Sequence, residues 1–235
     1  MQYNLIKPVF EKGGAIGMSA IAKWNRKTYL KRKFNNVLVP LEVYKSDSDM
    51  ETSKAELKQV KFNNYLDHMK DNWYVADCVL DDLSVSEDVF EDLFNPQRPE
   101  EPITHSLYIG NNTKSGCHLH VEDDVALHQI VGQKIVYLLD YDQLTLKNIF
   151  SKRANFSKEN FFDLTDDKYE IQKIVLNPGD ILFIPPWTWH AVENVGYSIA
   201  VTKTFEREKS YLDKKRYKKL KRRNTFMKIM NYILN

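Results

Sequence analysis

Five of the six histidines fall between residues 105 and 190, and two of them open the run His118-Leu119-His120-Val121-Glu122-Asp123-Asp124. Side chains alternate along an extended strand, so this run predicts His118, His120 and Glu122 on one face. Imidazole and carboxylate at neighbouring same-face positions supply two ligands of a metal site, and a third must come from elsewhere in the chain. Two histidines and one carboxylate on one octahedral face leave three positions open, the arrangement that suits non-haem Fe(II) oxygenases. Alone, the His-x-Glu spacing says little. With six histidines and 32 acidic residues it arises by chance, and a solvated polar turn accounts for it as readily.

A second run is far harder to obtain by chance. It reads Asn177-Pro178-Gly179-Asp180-Ile181-Leu182-Phe183-Ile184-Pro185-Pro186-Trp187-Thr188-Trp189-His190-Ala191-Val192-Glu193-Asn194. A Pro-Gly turn launches an apolar strand, two prolines stop it, and a histidine follows two tryptophans. The turn and the proline stop fix where the His190 imidazole points, and the indoles limit access of water. One tryptophan is expected to pack while the other faces the site.

Residues 177–194 resemble the second metal motif of the cupin superfamily, in the Ile-Pro-Pro-Trp-x-Trp-His form of its Jumonji C branch, a group of 2-oxoglutarate oxygenases. The first motif of that branch, His-x-Asp or His-x-Glu followed by a Gly-x-Lys strand, looks like His120-Val121-Glu122 with Gly132-Gln133-Lys134. The resemblance implies iron ligation by His120, Glu122 and His190, with 2-oxoglutarate and molecular oxygen as cosubstrates. It implies Lys134 as the cation for the distal carboxylate of 2-oxoglutarate, helped by Tyr74 of the segment Trp73-Tyr74-Val75-Ala76-Asp77. Val136 and Leu138 share a strand face with Lys134, so an unpaired ammonium there is costly; the alternative is a lysine at the strand's start that snorkels to water. The match has one departure. The gap from His120 to Gly132 is a residue short of that in the hydroxylase-type relatives, and from His118 it is a residue too long. His118 with His120 also mimics the His-x-His of ordinary cupins, with Asp124 as a fourth ligand. With His120 and Glu122 as the first motif, His118 reads as a neighbour of the site or a cap on its rim, His128, His105 and His68 as packing or solvent contacts, and Cys117 as a spectator.

The elements that must position these residues are mostly short strands. The runs 106–109, 118–121, 133–139, 171–176, 181–184 and 197–202 are strand-like and separated by Gly, Pro and Asn turns, which points to a sandwich or barrel. Residues 142–170 read as an insertion. Before residue 105 the texture is mixed, with helical spacing at 19–34 and 62–73, a strand interrupted by Pro40 at 37–44, and a polar surface loop at 46–53. Together with the resemblance this gives a mainly β fold, a double-stranded β-helix (a cupin or jelly-roll barrel) with flanking N-terminal helices and a C-terminal helix. Three regions follow: an α/β buttress at 1–105, the Jumonji C-like core at 106–205, and a basic helical tail at 206–235.

That tail carries seven Lys and four Arg against two Glu and one Asp, a net +8 in a chain of net +2, so the body is acidic at −6. Such asymmetry indicates an appendage rather than a uniformly basic nucleic-acid-binding domain. Phe226, Ile229, Met230 and Ile233 recur at helical spacing, which suits docking on the barrel or a homodimer; the basic run suits nucleic acid or a ribosome instead. No apolar stretch approaches the roughly 20 residues of a membrane span and the N-terminus lacks a signal-peptide layout, so an intracellular, soluble protein, cytoplasmic or nuclear, is expected. Cys78 and Cys117 make neither a disulfide framework nor a zinc ribbon. The expected activity is hydroxylation of a protein side chain, with N-methyl-lysine demethylation less favoured for want of a reader module. The rival readings are a metal-dependent cupin enzyme that does not use 2-oxoglutarate and a non-catalytic cupin-like binding protein.

Overall fold

A computed structural model describes residues 7–35, 37–80, 87–90, 103–144, 155–163, 169–206 and 218. The tail 206–235 lies almost wholly outside the described residues, as does the helix expected within it. The described chain is mainly β: ten strands join one antiparallel sheet, and the helices are few and short. No helix among these residues is long and apolar enough to cross a membrane.

In chain order the elements are β1 (Val9–Glu11), α1 (Ser19–Lys23), α2 (Lys27–Phe34), β2 (Leu38–Val43), α3 (Asp47–Glu51), β3 (Glu56–Lys61), α4 (Phe62–His68), β4 (Trp73–Val79) and α5 (Glu87–Phe90). Then come β5 (Thr104–Asn111), β6 (Lys114–His118), β7 (Asp123–Asp140), β8 (Gln172–Leu176), β9 (Ile181–Ile184) and β10 (Thr188–Glu206). The sheet order is β1-β9-β7-β10-β5-β4-β2-β3, with β6 added on β10 and β8 on β7.

The two long strands carry the architecture. Gly132, expected to precede a strand, instead lies inside β7 with φ +69°, and a Cβ there would fall 2.0 Å from the carbonyl oxygen of Tyr197. Opposite it, β10 shifts register between Val195 and Ile199, around Gly196 with φ +65°. Both strands therefore bend at the same level, where glycine takes the left-handed backbone angle without strain. On one side of the bend β7 and β10 pair with β8 and β6; on the other they pair with β9 and β5. A cavity is lined from both halves, by Val125, Leu127 and Thr202 on one and by Lys134, His190 and Val192 on the other.

One apolar cluster fills the space between the second half and the N-terminal elements, joining Trp24, Leu30, Phe34, Phe62 and Tyr65 to Ile109, Ile199 and Val201. Phe34 and Phe62 stack at 3.8 Å. The span 46–53, read as a loop, contains α3, because the Ser46 hydroxyl accepts from the Asp49 N–H at 3.2 Å and Asp47 and Asp49 favour the first turn. Pro40 is accommodated because β4 pairs with β2 only at Glu42 and Val43, so its missing N–H breaks no bond on that side.

Candidate metal centre

Three histidines meet at one end of the cavity. His118 is the last residue of β6, His190 sits opposite it in β10, and His120 follows on the connector to β7. One nitrogen from each lies within 4.8 Å of the other two, and the ring centroids are 4.2 Å (His118–His190), 5.1 Å (His120–His190) and 5.7 Å (His118–His120) apart. Nδ1 of His118 faces the Gly116 carbonyl at 2.8 Å, and Nδ1 of His190 faces that of Thr188 at 3.0 Å. With protons on those nitrogens, each ring keeps an unprotonated Nε2, the form a metal requires.

Backbone contacts hold the connector in place. The Trp187 N–H donates to the His120 carbonyl at 2.9 Å, and the Leu119 N–H to that of Asn155 at 3.0 Å. Trp187 itself takes φ +64°, strained for an aromatic residue and imposed by the turn after Pro185-Pro186. Phe156 stacks on His118 with centroids 5.5 Å apart. Burial, then the neighbouring His118, pushes the His120 imidazole down to about 3; burial, then His118 and His120, holds His190 well below its ordinary value. These two rings are neutral at physiological pH, so the donor set suits a cation and the transition metals that favour imidazole.

The structure brings His120 and His190 together and leaves Glu122 out. The chain leaves β6 at His118 and bends at Val121 and Glu122 before β7 begins, so strand alternation stops short of Glu122. Its carboxylate is exposed, and His118 occupies the third place in the group. Asp124 is buried at the start of β7, also outside the group. The Cys117 thiol is buried and pushed well above its ordinary value, chiefly by desolvation. Neither tryptophan lines the cavity: both Trp187 and Trp189 pack in a core cluster with Tyr141, rather than one facing the site.

Lys134 and Tyr74 line the same cavity, whose volume is about 280 Å³. At 1 % exposure Lys134 does not snorkel to water. Its ammonium donates to Asn194 Oδ1 at 2.6 Å, and Asn194 Nδ2 donates to Thr113 Oγ1 at 2.6 Å. Burial drives the lysine down to about 7, and no carboxylate among the described residues lies within 4.0 Å of it. Burial, then the charges of Glu42 and Asp77, raises the Tyr74 hydroxyl well above its usual value and keeps it a donor. Sequence reasoning missed Asn194 and Thr113. Asn194 was within reach, since alternation from His190 through Val192 aims it at the same face.

Residues 3–211 match the family described as the cupin-like domain. The chain is 23 % identical to JmjC domain-containing protein F of Dictyostelium discoideum, over 85 % of its own length and 57 % of that protein. It is 24 % identical to lysine-specific demethylase JMJ30 of Arabidopsis thaliana, over 78 % of its length and 46 % of the relative's. The chain thus spans about half the length of these curated relatives. It belongs to the cupin-like domain family, with distant JmjC-domain homologues.

Proposed function

From that membership and the cavity together, we propose that the protein is an Fe(II)- and 2-oxoglutarate-dependent oxygenase that hydroxylates a protein side chain, on a double-stranded β-helix. The observation that carries the reading is Lys134, an ammonium buried in the same cavity as three convergent imidazoles and paired, among the described residues, to a neutral amide alone. A buried cation without a counter-charge is costly, and a ligand carboxylate at this point would relieve that cost. JMJ30, a relative whose name declares a lysine-specific demethylase, is consistent with a protein side chain as substrate.

In this reading His118, His120 and His190 hold the iron. Three neutral imidazoles leave the ion its full charge, where two imidazoles and a carboxylate would leave one unit less, so the site attracts an anionic chelate strongly. Lys134 and the protonated Tyr74 hydroxyl hold the distal carboxylate, fixing the length of acid that reaches the metal. With iron and 2-oxoglutarate bound, such a centre places one atom of dioxygen in a substrate C–H bond while the keto acid becomes succinate and carbon dioxide. Phe156 against His118 and the apolar residues Leu119, Val125, Leu127 and Ile184 around the cavity restrict water.

The test is anaerobic loading with Fe(II) and 2-oxoglutarate, admission of oxygen, and NMR detection of succinate. Iron-dependent succinate formation is expected; failure of the Mn(II) form to bind 2-oxoglutarate overturns the proposal. The three-imidazole group also favours a second reading, a cupin enzyme that uses its metal without 2-oxoglutarate, and metal binding without succinate formation selects it.

A further inference from the structure

Lys134 is a buried cation whose partner is an amide, and the amide is itself held in one orientation. Asn194 Oδ1 accepts from the ammonium while Nδ2 donates to Thr113 Oγ1, each at 2.6 Å, and a flipped amide would turn its NH₂ against the ammonium. The backbone fixes the same contact, because the Asn194 N–H donates to the Thr113 carbonyl at 2.8 Å. Gly110 supplies the room. A Cβ on it would fall 2.0 Å from Thr113 Oγ1, 2.9 Å from Asn194 Nδ2 and 2.9 Å from the Tyr74 ring. Thr113 is fully buried and Asn194 is 3 % exposed, so solvent does not replace either bond.

We infer that Asn194, locked by Thr113 in the space left by Gly110, is the positioning residue of an anion subsite, orienting the Lys134 ammonium without neutralising it. An aspartate has nearly the same shape and would accept the same bond, yet it would pair with the lysine permanently and remove the charge that a ligand carboxylate needs. The choice of amide over acid is therefore a specificity device. The inference rests on reading Lys134 as the site of the cosubstrate's carboxylate. The other ionisable groups around the cavity are the three histidines, Tyr74 and Tyr108, with Glu42 and Asp77; neither carboxylate lies within 4.0 Å of the ammonium. Burial is accordingly the one cause that depresses the lysine.

The decisive variant is Asn194→Asp, compared with the parent in the Mn(II) form. Calorimetry measures binding of 2-oxoglutarate and of succinate, electron paramagnetic resonance measures Mn(II) affinity, and NMR of the lysine Cε follows the titration of Lys134. Expected are unchanged Mn(II) affinity, Lys134 titrating at higher pH, and binding of either dicarboxylate weakened by about 10- to 150-fold, the range for loss of one hydrogen bond to a charged group. Thr113→Val, which removes one of the contacts that orient the amide without adding charge, is expected to weaken binding by about two- to tenfold, and serves if the aspartate variant does not fold. Parent-like dicarboxylate binding by the variants overturns the inference, as does weakened binding by Asn194→Asp with the Lys134 titration unmoved. A parent that binds succinate in an Asn194-dependent way but not 2-oxoglutarate sinks the oxygenase reading and keeps the subsite. A parent that binds neither sinks both.

Discussion

Replacing Lys134 with methionine sets stability against function and gives opposite signs for the two. Methionine keeps most of the aliphatic stem and removes the ammonium. In the folded protein the lysine is depressed from 10.5 to about 7, which amounts to on the order of 5 kcal/mol against the charged form. Between those two values the unfolded chain binds more protons than the folded one, so the parent gains stability as pH rises through that window, and below pH 7 it bears the full cost. Against this, the variant leaves Asn194 Oδ1 without its donor, a loss of about 1–3 kcal/mol. Lys134→Met is therefore expected to be more stable than the parent by roughly 2–4 kcal/mol at pH 6, or about 4–16 °C in Tm for a chain of this size. The gap should shrink by about 2–3 kcal/mol by pH 9. Binding of 2-oxoglutarate to the Mn(II) form should fall by about 10- to 150-fold, with Mn(II) affinity unchanged. Thermal unfolding across pH 6–9 and calorimetry measure the two arms. A variant less stable than the parent at pH 6, or one that binds 2-oxoglutarate equally well, refutes the reasoning.

His118→Ala should reduce metal affinity as severely as His120→Ala or His190→Ala, at least tenfold by equilibrium dialysis, whereas Glu122→Ala should change it less than about twofold; the reverse order would restore Glu122 to the ligand set. Asp88, 2 % exposed, accepts from Trp24 Nε1 (3.0 Å), Tyr29 (2.7 Å), Lys23 (2.9 Å) and Ser19 (3.3 Å), so Asp88→Ala should cost about 3 kcal/mol in urea unfolding. Burial pushes that carboxyl up, but the donors from Trp24, Tyr29 and Lys23 outweigh it and hold it below its ordinary value. Its contribution is thus present above the unfolded value and lost as pH falls through the lower folded one, and the alanine variant should lose this acid dependence. Gly132→Ala combines a left-handed backbone with a Cβ 2.0 Å from the Tyr197 oxygen and should cost at least about 2 kcal/mol in thermal unfolding; a loss below about 0.5 kcal/mol would mean that the bend between β7 and β10 relaxes freely.

Local signals carried much of the architecture. The run 181–184 between its Pro-Gly turn and its Pro-Pro stop is β9 residue for residue, because turn chemistry and proline act within a few residues and owe nothing to distant contacts. The helical spacing at 19–34 appears as α1 and α2, and the two histidine runs do converge. What alternation alone could not decide was where it ends: His118 to Glu122 reads as one strand only if the chain stays extended, and the β6–β10 ladder ends at the His118–His190 pair, beyond which the Leu119 N–H turns to the Asn155 carbonyl. The third histidine was thus chosen by pairing with a strand more than 70 residues away. Gly132 likewise looks like punctuation in the sequence, and only its approach to Tyr197 turns it into a bend within one long strand. Alternation places Asn194 on the face of His190, but its pairing with Lys134 follows only from the register of β10 on β7. Residue types and local turns determined which chemistry was available, whereas long-range register, which no short-range pattern encodes, decided which side chains share the cavity.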